Sequence, residues 1–266
     1  MHDDITTWHY GLVARWWAEF EVGGEAVEYF RDVIERCGEP ALDAGCGTGR
    51  LLLPFLRSGM DVDGSDVSPD MLGWCAAKAE VEGLSANLYP QAMHELDLPH
   101  RYQTIIVCGS FGLGGTRAAD LEGLRRLHAH LEPGGTLVMD HYPPKRDTDY
   151  DEALTESRDL PNPWPEQGDR RRTDSGAELE LRTRLLATDS VERTITREIS
   201  VREFVEGIEV DHQVYSIVIC GYSISEVESM LETAGFGNIR ATGAFKLGPP
   251  TPETSSSCSR RRPKPP

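Results

Sequence analysis

The sequence predicts an α/β fold: a doubly wound, mostly parallel sheet with an inserted antiparallel β-meander. Three observations predict it. Between residues 41 and 139, short apolar runs alternate with segments of helical periodicity, which is the pattern of βαβ units with parallel strands buried on both faces. The first of those runs passes directly into a turn with glycine at positions 45, 47 and 49. From 178 to 220 the period changes to two, in three stretches separated by Thr188-Asp189-Ser190 and by Glu206-Gly207, as antiparallel hairpins require.

Taken in order, two helices come first. Leu12, Val13, Trp16, Trp17 and Phe20 recur at three- and four-residue spacing, and Val27, Phe30 and Ile34 repeat it after the Gly23-Gly24 break. One helix cannot turn both Trp16 and Trp17 inward, so one is core and the other is free to line a pocket. After Pro40 come a strand at 41–44, the glycine turn and a helix carrying Leu51, Leu52, Leu53, Phe55 and Leu56. A second strand is expected at 61–64. Ser68-Pro69-Asp70 then supplies an N-cap, a proline at the first helical position and an early acid, so a helix starts there and runs to about Gly83. Strands follow at 86–89 and 104–108, then a helix with Leu121, Leu124, Leu127 and Leu131, and a Pro133-Gly134-Gly135 turn into a strand at 136–139.

Beyond Asp140, prolines at 143, 144, 161, 163 and 165 sit among charges, which is loop composition. The meander follows, as an insertion packed over the sheet edge. A helix capped by Ser223 and closed by Gly235 leads to a strand at 238–244. The last stretch, TSSSCSRRRPKPP, has no apolar alternation and reads as disordered. The chain thus divides into N-terminal helices (1–39), a core (40–142), the loop and meander (143–221), a helix and strand that complete the core (222–248) and a tail (249–266).

A chain of 266 residues suits one core with an elaboration. Acidic residues outnumber basic ones 44 to 27, a formal charge of -17, which repels phosphate backbones and anionic membranes. Nucleic acid and membrane are therefore excluded as partners, and a small-molecule acceptor is expected. Cys37, Cys46, Cys75, Cys108, Cys220 and Cys258 form no CxxC pair, so neither a zinc site nor a disulfide scaffold is expected and no metal is assigned. The first residues show no signal pattern and no apolar run reaches membrane-spanning length, so the reading is a soluble, cytoplasmic protein.

The glycine turn selects among nucleotide-like ligands. A Rossmann dinucleotide fingerprint counted from Gly45 would end on Arg50, too large for the close helix-strand contact its last glycine serves, and a nicotinamide oxidoreductase is disfavoured. The segment instead reads acid-x-G-x-G-x-G, with Asp43 leading it. LDAGCGTGR resembles the first motif of class I S-adenosylmethionine-dependent methyltransferases, whose sheet is Rossmann-like; GSDVSPDML resembles their second motif, and LEPGGTLVMD the segment that forms their fifth strand. The likeness covers about residues 10–140.

The resemblance implies S-adenosylmethionine as cofactor. It places Asp43 near the cofactor's amino group, Gly45, Cys46 and Gly47 under its methionine portion, Asp66 on the ribose hydroxyls and Val67 against the adenine. It also places Met93 and Cys108 beside the adenine and the sulfonium arm, and Tyr10 over the cofactor. At Ala92 the family often carries an acid, so an adenine contact is lost there or passes to the backbone. The acceptor pocket is expected from Trp16, Ser110, Phe111 and Tyr142. His141, at the carboxyl end of the fifth strand, is the candidate base, because a neutral imidazole takes a proton near neutrality; a solvated loop histidine is the other reading.

The tail departs from the family, which ends on a strand slotted beside the fifth. Its absence would leave unpaired backbone and lower stability. The second reading of the chain is accordingly a degenerate, non-catalytic S-adenosylmethionine-binding protein lacking that strand.

Overall fold

Parallel strands buried on both faces need apolar runs, which Ile105-Ile106-Val107 and Leu137-Val138-Met139 supply at the middle of the sheet. The parallel strands are β1 (Ala41–Ala44), β2 (Val62–Ser65), β3 (Leu88–Tyr89), β4 (Tyr102–Val107) and β5 (Leu131–His141). The computed structural model describes residues 9–113, 115–141 and 159–243, and the main chain of 257–263. Tyr142, the segment 143–158 and the early part of the tail lie outside the described residues.

The helices are α1 (Gly11–Phe20), α2 (Glu25–Cys37), α3 (Leu52–Arg57), α4 (Pro69–Val81), α5 (Arg117–Ala129) and α6 (Ile224–Thr233). One face of the sheet is covered by α2, α3 and α4 through Phe30, Ile34, Leu52, Phe55 and Cys75. The other is covered by α5 and α6 through Leu124, Leu127, Val227 and Leu231. Each fully buried aliphatic or phenyl side chain stabilises the fold by about 1.5–3 kcal/mol, so two apolar layers hold the sheet between helices. The Ser68 cap is present as expected: its side chain accepts from Met71 N at the start of α4.

The sheet has seven strands in the order β10-β11-β5-β4-β1-β2-β3, where β10 is Phe236–Gly243 and β11 is Ser257–Pro263. The strands β1 to β5 pair in parallel, and β11 runs antiparallel to both of its neighbours. Between β4 and β5 the register jumps from Leu131 to Thr136, which loops out the predicted Pro-Gly-Gly turn and makes β5 longer than expected.

The expectation of a missing last strand and a disordered tail is corrected by β11. Ser259 pairs with Ala241 of β10 on one side and with Met139 of β5 on the other. Ladder hydrogen bonds use main-chain groups that every non-proline residue carries. A slot flanked by two rows of unpaired N–H and C=O groups can therefore order a segment that has no apolar alternation. Pro263 stands at the strand's end, where the missing donor is least disruptive.

The insertion forms a second sheet of four antiparallel strands, β6 (Asp169–Arg172), β7 (Glu178–Asp189), β8 (Thr194–Val205) and β9 (Ile208–Cys220). Three of these match the predicted meander. The fourth, β6, reads Asp-Arg-Arg-Arg and is exposed throughout, so an edge strand arises without alternation to announce it. Leu12, Val13 and Trp16 of α1 pack on this sheet against Leu179, Ile199 and Val201, in an apolar cluster separate from the two that flank the main sheet. Among the described residues no helix is long and apolar enough to cross a membrane.

Candidate functional site

The site is built where β1, β2, β4 and β5 end, the edge at which open α/β sheets collect ligands. At the end of β1 the chain turns through Gly45 and Gly47, with φ of 81° and 55°. Gly45 N and Cys46 N donate to Ser65 O at 2.7 and 2.9 Å, which ties the turn to the end of β2. A Cβ on Gly45 would stand 2.3 Å from Ser110 Oγ, so this corner admits glycine both sterically and conformationally.

Asp66 follows β2 and anchors the turn from the other side. Its Oδ2 accepts from Gly47 N at 3.0 Å and its Oδ1 from Ser68 N at 2.8 Å. A carboxylate has about four acceptor positions, so each oxygen keeps one for a ligand hydroxyl. Burial raises the Asp66 carboxyl above its ordinary range, and the two amides oppose that rise. Asp43, inside β1, is buried, and its Oδ2 has no hydrogen-bond partner. Burial pushes its carboxyl up to about 7, opposed by Arg50 and reinforced by Asp66. A buried carboxylate oxygen without a donor fits a site completed by a cationic or N–H ligand group.

Two cavities meet here and share His9, Gly45, Asp66, Ser110 and Leu113. The smaller, about 110 Å³, is walled by Val67, Ala92, Met93 and Phe111 and reaches Asp120 and Leu124 on α5. The larger, about 510 Å³, is walled by Asp43, Cys46, Gly47, Arg50 and Cys108 below and by Trp17, Glu21 and Glu25 above. Arg50 Nη2 donates to Cys108 Sγ at 3.2 Å, and Cys108 Sγ lies 3.4 Å from Asp140 Oδ2. Asp140 Oδ1 accepts from Gly109 N at 2.7 Å. Burial pushes the Cys108 thiol up, so it is a neutral wall of the cavity.

Most of the predicted site residues converge. Asp43, Gly45, Cys46, Gly47, Asp66, Val67, Ala92, Met93, Cys108, Ser110 and Phe111 each line one cavity or the other. Others do not. Tyr10 stands at the N-cap of α1 and lines neither cavity; its neighbour His9 lines both. Burial lowers the His9 imidazole to about 4, and its carbonyl accepts from Ser68 Oγ. Trp16 is buried inside the cluster with the second sheet, whereas Trp17 packs only on the edge of that cluster and also lines the larger cavity. Helical neighbours point about 100° apart, and packing on β7 and β8 takes Trp16.

His141 is buried and lines neither cavity. Its Nε2 is 2.8 Å from the Tyr222 carbonyl oxygen, to which it donates, and its ring meets Phe111 edge-on. Burial lowers its pKa. His9, Trp17, Arg50 and Asp140 were not read as site residues from the sequence. For Arg50 and Asp140 a signal existed: a charge directly after the glycine turn and an acid ending an apolar strand.

The chain is similar to known methyltransferases in part of its sequence and in its fold. Residues 41–135 match the family model described as a methyltransferase domain. A protein of Geobacillus sp. (strain WCH70) named as a methyltransferase is 31% identical over 120 residues, 44% of this chain and 49% of that protein. The match thus spans about half of that relative's length. The fold resembles an S-adenosylmethionine-dependent methyltransferase of Clostridium acetobutylicum, with a TM-score of 0.70 at 15% identity over 90% of each chain. It also resembles an amino pentose methyltransferase of Micromonospora echinaspora with bound S-adenosylmethionine, with a TM-score of 0.64 at 18% identity over 97% of this chain and 99% of that one. The architecture is that of class I methyltransferases.

Proposed function

We propose that the protein is an S-adenosylmethionine-dependent methyltransferase that acts on a small-molecule acceptor by in-line methyl transfer. The observation that carries this reading is the pairing of two acids on adjacent strands, Asp43 buried and Asp66 half-buried. Asp66 is oriented by the amides of Gly47 and Ser68 with acceptor positions to spare, and Asp43 holds an unpartnered oxygen in the same cavity. Asp66 suits a ribose diol and Asp43 an amino group. Val67, Met93 and Phe111 give the smaller cavity the apolar walls an adenine needs, and Gln91 is committed there to Asp97 by two hydrogen bonds. The position of Ala92 leaves the adenine edge to backbone groups.

When bound, the cofactor supplies an electrophilic methyl group, so the protein's own task is alignment and exclusion of water. His9 and Trp17 close the cavity from above, and the glycine turn closes it from below. No proton transfer is assigned to His141, because its Nε2 is committed to the Tyr222 carbonyl and the ring stands outside both cavities. Of the two grounds for the non-catalytic reading, Ala92 and a missing last strand, the second is removed by β11. The small-molecule reading is supported by the cleft of about 510 Å³, in the range of small-ligand sites.

The test is a calorimetric titration with S-adenosylhomocysteine, with NAD as control and Asp66→Ala as a second sample. Saturable binding to the wild type, none of NAD and a loss of about tenfold or more in the variant are expected. Folded protein that binds no S-adenosylhomocysteine would refute the assignment.

A further inference from the structure

The far end of the smaller cavity holds a carboxylate that the cofactor reading leaves unused. The walls there are apolar at Met93, Phe111, Leu124 and Leu127, and Asp120 stands among them in the first turn of α5. Asp120 is 7% exposed, and the empty cavity borders it. Two structural roles are already visible. An acid in the first turn complements the helix dipole, and Asp120 Oδ2 accepts from Tyr222 Oη at 2.6 Å, which ties α5 to the segment before α6. Neither role calls for a carboxylate in the wall of an apolar cavity, where its desolvation is costly. A carboxylate accepts about four hydrogen bonds, so the bond from Tyr222 leaves Asp120 able to take a further donor.

An adenine in this cavity presents ring nitrogens, which accept, and a 6-amino group, which donates. Ring nitrogens suit main-chain amides; the amino group needs an acceptor. Ala92 offers no side-chain oxygen, and its carbonyl already accepts from Glu95 N at 2.9 Å. Gln91 is held by Asp97, and the His94 ring turns toward exposed Glu95, with Nε2 4.0 Å from its Oε1. Asp66, Ser110 and His9 stand where the two cavities meet, on the ribose side. Among the described side chains, the acceptor at the adenine end is therefore Asp120.

We propose that Asp120 recognises the cofactor's adenine: its carboxylate accepts from the 6-amino group and selects an adenosyl cofactor over a 6-oxo nucleoside. This inference rests on the methyltransferase reading and names the group that orients its cofactor, supplied from α5 where Ala92 supplies none. Tyr222 Oη fixes the carboxylate, and the Tyr222 ring packs 5.5 Å from Phe111 in the cavity wall. The bond from the amino group is charge-assisted, and a 6-oxo base sets an oxygen against the carboxylate with no proton between them.

The experiment titrates the full chain by calorimetry with S-adenosylhomocysteine, with its analogue bearing hydrogen in place of the 6-amino group, and with S-inosylhomocysteine. The wild type is expected to bind the hydrogen analogue about tenfold more weakly than S-adenosylhomocysteine, and the inosyl compound more weakly still. In Asp120→Asn the amide offers oxygen to an amino group or N–H to a 6-oxo group. The variant is expected to bring the inosyl compound within about threefold of the adenosyl one, and to bind it more tightly than wild type does. A purely structural role would weaken all three ligands together. Tyr222→Phe, which keeps the carboxylate and removes its structural bond, is expected to lower Tm and to leave the adenosyl-to-inosyl ratio within about twofold of wild type. Wild type that binds all three equally would overturn the proposal with no variant needed. A folded Asp120→Asn with the wild-type ratio, or a Tyr222→Phe in which the ratio collapses as far as in Asp120→Asn, would overturn it as well. Folded wild type that binds none of the three would remove the methyltransferase reading itself, whereas binding without discrimination removes this inference alone.

Discussion

The floor and the roof of the cavity are built by different physics. The floor is main chain: Gly45 N and Cys46 N bond Ser65 O, and Gly47 N bonds Asp66, all within the βαβ unit that makes the site. The roof is side chains carried on α1, which is held from one side by polar contacts to α4 and from the other by the second sheet. Gly11 N donates to Asp70 Oδ2 and Lys78 Nζ to Ala18 O, each at 2.7 Å, and Trp16 packs with Leu179, Ile199 and Val201. The floor is therefore fixed by local geometry. The roof depends on an insertion more than 150 residues away in the chain, and changes in that insertion can alter the acceptor without touching the cofactor.

Trp16 and Trp17 give the sharpest test of that division. Trp16→Ala removes a 4% exposed core side chain and is expected to lower unfolding free energy by about 3–5 kcal/mol in urea titration. Trp17→Ala, at a partly buried side chain that also lines the larger cavity, is expected to cost less stability than Trp16→Ala and to weaken S-adenosylhomocysteine binding as well. Equal stability losses would break the comparison. On the floor, Gly45→Val puts a branched side chain at a φ of 81° and against Ser110, and is expected to weaken S-adenosylhomocysteine by a hundredfold or more, about 3 kcal/mol, in calorimetry.

The floor was legible in the sequence because its residues make demands that few others satisfy. Glycines at 45 and 47 take positive φ, Ser68-Pro69-Asp70 starts a helix, and acids at 43 and 66 fall at strand ends. The roof was not legible. Adjacent tryptophans on one helix are equivalent to any periodicity argument, and contact with β7 and β8 decides which one turns to the cavity. The same holds for His9 against Tyr10, which differ by one residue in the entry to α1. The strands β6 and β11 were illegible for a third reason: one is an exposed edge, and the other is held by main-chain ladders that impose no apolar pattern.

That last point has its own test. Ser259→Pro removes a main-chain donor in the middle of β11, between Met139 and Ala241, and is expected to cost about 2–3 kcal/mol, seen as a fall in Tm of several degrees. Ser259→Val keeps the ladder and is expected to leave Tm unchanged or higher. A proline variant as stable as wild type would show that β5 and β10 do not need the strand between them.

The smallest expected effect concerns the acid that faces both halves of the site. Burial raises Asp43 from 3.8 to about 7 in the folded chain, so the folded state holds its proton more tightly than the unfolded state. Ionisation therefore opposes folding: the cost appears above pH 4, grows to about pH 7 and is constant beyond. Asp43→Asn removes it. The variant is expected to exceed wild type in unfolding free energy by on the order of 2 kcal/mol at pH 8, with the difference closing towards pH 4. Ligand binding should run the other way. A cofactor amino group beside Asp43 favours the carboxylate, so S-adenosylhomocysteine affinity is expected to rise with pH up to about 7 and to release a proton on binding. Calorimetry in two buffers of different ionisation enthalpy reads that proton directly, and Asp43→Asn is expected to abolish both the release and the rise. A wild type whose binding releases no proton at pH 6 would place the cofactor's amino group elsewhere and leave the unpartnered oxygen of Asp43 to another ligand group.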